Sequence, residues 1–276
     1  RSMAQKLPYT VDPDDPRSPS REQWDLMTPE QRRQVIDSLP ADVPIDLFMP
    51  EGDKHRKAKS GALSALDGFF RRIGRRVYLS SELGVYYPGE RRFAPDVLAV
   101  ADVEPTERDK WVVLDEGKGL DLVLEIHVSG SFVKDYEGNR RRYARLGIPE
   151  YFLFDRTRGR LHGWRLQSPD ARIYEPIVPQ AGLYSSSVLG LELGLEGDRL
   201  RFYYGRAPLP EAEDLIGQLD QIVSGFVLRA EHAEQERERA EQEREHAEQE
   251  RERAEQERER AEQRVKELEA ELARLR

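Results

Sequence analysis

The middle of the chain carries short apolar runs of strand length: Phe93 to Val100, Leu120 to Val128, and Tyr151 to Asp155. In the second run Leu122, Val123 and Leu124 follow one another without a polar break, the mark of a strand covered on both faces. Helical periodicity appears on either side. From Asp53 to about Ile73 the apolar positions are Ala58, Ala62, Leu66, Phe69, Phe70 and Ile73. Asp135 to Leu146 reads as another helix, closed by Gly147 as a C-cap glycine. Near the start, Thr28-Pro29-Glu30-Gln31 is a helix entry with an N-cap, a first-turn proline and a capping-box glutamine; that helix should run to about Ser38. The stretch before it, up to about residue 20, is polar and holds Pro8, Pro13, Pro16 and Pro19, so a mobile arm is expected there.

Shorter signals fill the gaps. Arg76 to Tyr87 reads as strand, Pro88-Gly89-Glu90 as a turn, and the two should form a hairpin with the Phe93 run. Trp111 to Leu114 is a short strand in a charged loop. Thr157-Arg158-Gly159-Arg160 turns the chain into Leu161 to Leu166, and edge strands follow around Leu189-Gly190-Leu191 and Leu200 to Tyr204.

Beyond Pro208 and Pro210 the pattern changes to an unbroken period of seven. One seam holds Ala212, Leu219, Phe226, Ala233, Ala240, Ala247, Ala254, Ala261, Leu268 and Leu275; the position four residues later holds Ile216, Val223, Ala230, then arginines, then Val265 and Leu272. Such a repeat predicts a long helix or coiled coil over 211–276. Its middle seam of Ala and Arg is weak, so association should come from the apolar ends, as a homo-oligomer or with a protein partner. The expected organisation is an arm and short helix over 1–44, a globular domain over 45–206, and this extension.

Two acids stand out because they interrupt or border apolar strands: Asp96 and Glu125. A carboxylate there is costly unless it is paired or binds a metal. Side by side, the two would offer oxygen ligands to a hard divalent cation, Mg²⁺ or Mn²⁺. The competing reading is that they cap or pair with arginines. His127 shares a strand face with Glu125 by alternation and is the first candidate for the basic group. Lys134, with its long stem, is the second. The basic run Arg140-Arg141-Arg142 supplies candidate substrate contacts in Arg140 and Arg141.

Pro95-Asp96 followed by Glu125-Ile126-His127 resembles the PD-(D/E)XK nuclease superfamily. The ordered set Asp96, Glu125, Asp135 and Tyr143-Ala144-Arg145-Leu146-Gly147-Ile148-Pro149-Glu150-Tyr151 resembles more closely the Uma-type restriction endonuclease family, over roughly Ile45 to Tyr204. The resemblance implies an α+β fold, with a restriction-endonuclease-like mixed sheet flanked by helices and followed here by the long helix. It implies a metal-dependent DNA endonuclease that hydrolyses phosphodiester bonds. It adds the main-chain carbonyl of Ile126 to the metal ligands, Asp135 to the site, and a contact role for His55 at the start of the Asp53 helix. From the residues alone, His55 reads as a solvent-facing first-turn histidine. The sequence departs from the family at the lysine: position 127 is His, and Asn139 stands where members often carry Lys. A nuclease-fold binding protein, working through its coiled coil, is therefore the alternative to an active enzyme.

Composition narrows the setting. Charged residues make up 35% of the chain and the net charge is −9, so a broadly basic coat for nucleic acid is excluded and any contact with DNA must use local patches. The absence of cysteine excludes disulfides, thiolate nucleophiles and cysteine zinc sites, and fits a cytoplasmic protein. No apolar run is long enough to span a bilayer, and Arg1-Ser2 ahead of Met3 reads as a remnant of cloning.

Overall fold

A computed structural model of the chain describes residues 9–43, 52–128 and 134–274. It divides into two compact units at Ala212.

The first unit opens with two short helices, α1 (Arg21–Asp25) and α2 (Pro29–Ser38). Both have capping boxes: the side chains of Ser20 and Thr28 accept from the N–H groups of Gln23 and Gln31, and the Gln23 and Gln31 side chains accept in return from the Ser20 and Thr28 N–H groups. Residues 9–20, expected to be mobile, instead lie against the domain. Arg17 and Ser18 bridge to Arg91 and Pro88, the Tyr9 hydroxyl donates to the Arg17 carbonyl, and Tyr9 and Val11 pack on Trp24, Met27, Val35 and Leu114. The prolines set the course of this segment; the buried aromatic and aliphatic contacts hold it down.

The helix α3 (Asp53–Ile73) matches its expected range and ends on Gly74 at φ 67°. It is followed by β1 (Val77–Ser80), β2 (Gly84–Tyr86), β3 (Val97–Ala101), β4 (Lys110–Val112), α4 (Val113–Glu116) and β5 (Leu122–His127). A π-helical turn, Lys134–Asn139, runs into α5 (Arg140–Arg145), and then come β6 (Glu150–Asp155), β7 (Arg160–Arg165) and β8 (Glu175–Pro176). The unit closes with β9 (Tyr184–Ser186), β10 (Leu191–Glu196), β11 (Arg199–Tyr204) and β12 (Ala207–Pro208).

The main sheet has the order β1-β3-β5-β6-β7-β8. Its β5 and β6 are parallel, joined through α5; its other pairs are antiparallel. This is the mixed sheet flanked by helices that the apolar pattern and the resemblance led one to expect. The expected hairpin differs. β1 does pair with β3, but β2 leaves the sheet and runs parallel to β4, and Phe93 meets Val85 through a single bridge. Asp96 therefore sits just before β3 rather than in the middle of a strand.

β5 is covered on both faces, as its uninterrupted apolar run requires. Leu122, Leu124 and Ile126 join α3 (Ala62, Leu66, Phe69, Phe70) and strands β10 and β11 (Leu193, Phe202) in one core. Val123 faces the other core, with Leu98, Leu153, Tyr143, Tyr151 and Trp164. Strand alternation then puts Glu125 and His127 on that second face.

The second unit is the helix α6 (Ala212–Arg274), described here by itself. Its 63 residues rise about 1.5 Å each, giving a rod of roughly 95 Å. Among the described residues no helix is long and apolar enough to cross a membrane.

Candidate active site

The site forms where β3 begins and β5 ends. The register pairs Leu98 with Val123 and Val97 with Leu124, so the next step of the ladder sets Asp96 opposite Glu125. The hydrogen bonds confirm the approach. The Asp96 carboxylate accepts from the Ile126 N–H through Oδ2 at 2.7 Å, and the Glu125 carboxylate accepts from the Asp96 N–H through Oε2 at 3.2 Å. Each acid is fixed by the other's strand, which draws the two carboxylates together in a half-buried corner.

Like charges at that separation resist joint ionisation. The Glu125 carboxyl is pushed well above the usual range, first by burial and then by the Asp96 charge; the hydrogen bond from Tyr143 works against that rise. The Tyr143 hydroxyl donates to Glu125 Oε1 at 2.5 Å. Burial, followed by the Glu125 charge, raises the Tyr143 phenol well above its ordinary value, so it remains a donor. Tyr143 is held edge-on to Tyr151 and tilted against Phe93.

His55 is not solvent-facing. It is 6% exposed, and its Nε2 lies 3.2 Å from Asp96 Oδ2. Burial disfavours its charge, but the hydrogen bond and charge of Asp96, the charge of Glu82 and a hydrogen bond to the Ile126 backbone outweigh that, and its pKa is raised. His55 therefore stands beside an acid of the site and the Ile126 peptide. The first-turn reading fails because the start of α3 points at the β3 corner, which helical periodicity alone cannot show.

His127 is buried at 7% exposure on the Glu125 face, its residue paired in register with Asp155. Lys134 and Asp135 open the π-helical turn; their side chains lie outside the described residues. Of the basic run, Arg140 lies over the rings of Tyr136 and Trp164, and Arg141 is exposed and paired with Glu137. The structure joins neither of them to the acids. Arg142 lies over Phe93, the ring that leans on Tyr143, and donates to the Arg91 carbonyl. A second ion pair borders the site: Lys59, one turn after His55, binds Glu82. The apolar pattern of the chain singles out neither Lys59 nor Glu82. The spacing of His55 and Lys59 at i and i+4 was the available signal.

Among the described residues no group of three or more His, Asp and Glu side chains is gathered so as to hold a metal ion. The oxygen donors brought together are the Asp96 and Glu125 carboxylates. That set suits Mg²⁺, which takes one or two carboxylates from a protein and keeps several waters.

Comparison with known proteins gives a family match over residues 45–201, more than half of the chain, to a model named Uma2 and described as "Putative restriction endonuclease". No curated protein matches the chain. Among solved structures, a putative nuclease belonging to DUF820 from Anabaena variabilis ATCC 29413 is similar at 21% identity and a TM-score of 0.40. The match covers 53% of this chain and 80% of that one.

Proposed function

The chain belongs to the Uma2 restriction endonuclease family, and from that premise we propose that it is a metal-dependent endonuclease that hydrolyses phosphodiester bonds in DNA. The observation that carries this reading is the reciprocal anchoring of Asp96 and Glu125 across β3 and β5. Two carboxylates held together in a half-buried corner destabilise the protein unless a positive charge or a proton sits between them.

Asp96, Glu125 and the Ile126 carbonyl would hold Mg²⁺ or Mn²⁺. Such an ion supplies Lewis acidity at the phosphate and a more acidic bound water. The protein's own groups do the rest. His55 fixes Asp96 Oδ2, and Tyr143 fixes Glu125 Oε1, so neither carboxylate must reorganise when substrate arrives. His127, on the Glu125 face, takes the role of the missing lysine: its imidazole accepts the proton of the attacking water or orients that water. Lys134, at the entrance to the π-helical turn, is the second candidate, and Asp135, Arg140 and Arg141 are proposed outer contacts to the substrate.

The long helix belongs to this proposal as the element that joins copies of the chain or holds a protein partner. Leu215, Leu219, Ile222 and Phe226 near its start are all exposed, with Phe226 at 62%. Two linked copies would bring two sites to one duplex.

Incubation with supercoiled plasmid and with circular single-stranded DNA tests the reading. Mg²⁺ or Mn²⁺ should give nicked and linear products, and chelation with EDTA should stop their formation. Intact DNA in every metal condition would leave the nuclease-fold binding protein as the account of this chain.

A further inference from the structure

Helix α3 presents two side chains, one turn apart, to the Pro95-Asp96 corner. His55 reaches Asp96, and Lys59 reaches Glu82. Two separate costs meet at the second contact. Lys59 is only 4% exposed, and a buried amine is expensive even when paired. Glu82 adopts φ 55°, in the left-handed region that side chains other than Gly, Asn and Asp seldom occupy. The same residue donates its N–H to the Pro95 carbonyl at 2.9 Å, one residue before Asp96. The chain therefore runs from the α3 amine, through a strained turn, to the peptide that aims the catalytic carboxylate.

Stability gives no reason for this arrangement. Apolar residues of similar size commonly replace a buried ion pair without loss, and glycine would accept the backbone conformation freely. We propose that the Lys59–Glu82 pair is a positioning clamp, which locks the Glu82 turn onto Pro95 and so holds Asp96 in line with Glu125 and His55. Lys59 and Glu82 are positioning residues: they act through Asp96 rather than on substrate. The clamp rests on the nuclease reading of Asp96 and Glu125.

Two full-length variants test it: Lys59→Met combined with Glu82→Gln, which leaves a neutral pair of similar size, and Glu82→Gly, which suits the left-handed backbone and removes the carboxylate. Melting temperature and the steady-state kinetics of plasmid nicking in Mg²⁺ are measured for each. The clamp predicts a melting temperature close to the unaltered protein for the neutral pair and a lower one for Glu82→Gly, which takes the carboxylate from the buried Lys59 amine, with kcat lower by about 100-fold in both, the scale of a misplacement of about 1 Å, and KM little changed. Unaltered kcat in either folded variant would overturn it. So would kcat falling only in step with melting temperature across both variants, since that is the signature of a purely structural pair. Absence of nicking by the unaltered protein is a different result: it overturns the nuclease reading, and the clamp falls with it.

Discussion

Glu125 is under strong electrostatic tension from burial and from Asp96, and its effect on stability has a definite sign. Its carboxyl is held well above the ordinary 4.5 by burial and by Asp96, so the folded chain keeps a proton that the unfolded chain releases. Stability from this group is complete below pH 4.5 and is lost as pH rises towards the folded value. His55 acts in the same direction: against the cost of burial, Asp96 and Glu82 raise it above 6.5, so its contribution is lost as pH rises through the folded value. In metal-free buffer the melting temperature should therefore fall as pH rises from about 5 to about 8, and Glu125→Gln should flatten the lower part of that slope. A profile identical in the variant would place the tension elsewhere. Both acids were legible in the sequence because Glu125 interrupts an apolar strand and Asp96 borders one, and that is a local signal. The partners that hold them were not legible from spacing. His55, which the resemblance alone brought to the site, and Tyr143 come from other elements, and helical spacing tells which residues share a face but not what that face meets.

Elements were legible where local chemistry sets them. The Thr28 capping box defines α2, the apolar stripe defines α3, and the uninterrupted Leu122-Val123-Leu124 run defines the central strand. Pairing was less legible: β2 carries the alternation of a hairpin strand, yet it ladders with β4 and meets the Phe93 run at a single bridge, a choice made by distant neighbours. The Gly-Ile-Pro-Glu-Tyr segment shows how a motif can be structural. Glu150 is 1% exposed. It accepts from the Ser186 hydroxyl, the Ser187 N–H and the Arg165 guanidinium, which in turn donates to the Ser185 carbonyl. This one carboxylate ties β6 of the main sheet to β9 of the smaller sheet. Glu150→Ala leaves Arg165 and Ser186 without it and should cost about 3–5 kcal/mol of stability, measured by denaturant unfolding. A loss below about 1 kcal/mol, the scale of an exposed pair, would mean that the two sheets are held by their apolar core alone.

At the scale of the molecule, the heptad pattern correctly foretold one long helix, because a period of seven over so many turns leaves no other regular structure. It could not name a partner: apolar residues at the ends, with Ala and Arg between, suit a second copy or another protein equally. Light scattering on the full chain and on a form ending at Arg206 should give a dimer or larger mass for the first and a monomer for the second; equal monomer masses would make the partner a different protein. The account as a whole depends on one pair of carboxylates doing chemistry together. Its most direct test compares plasmid cleavage in Mg²⁺ by the unaltered protein, Asp96→Asn and Glu125→Gln, each confirmed as folded. Cleavage should fall by at least about 100-fold in both variants, the scale of losing a preorganised electrostatic group, whereas cleavage that persists unchanged in either would contradict the assignment of the site.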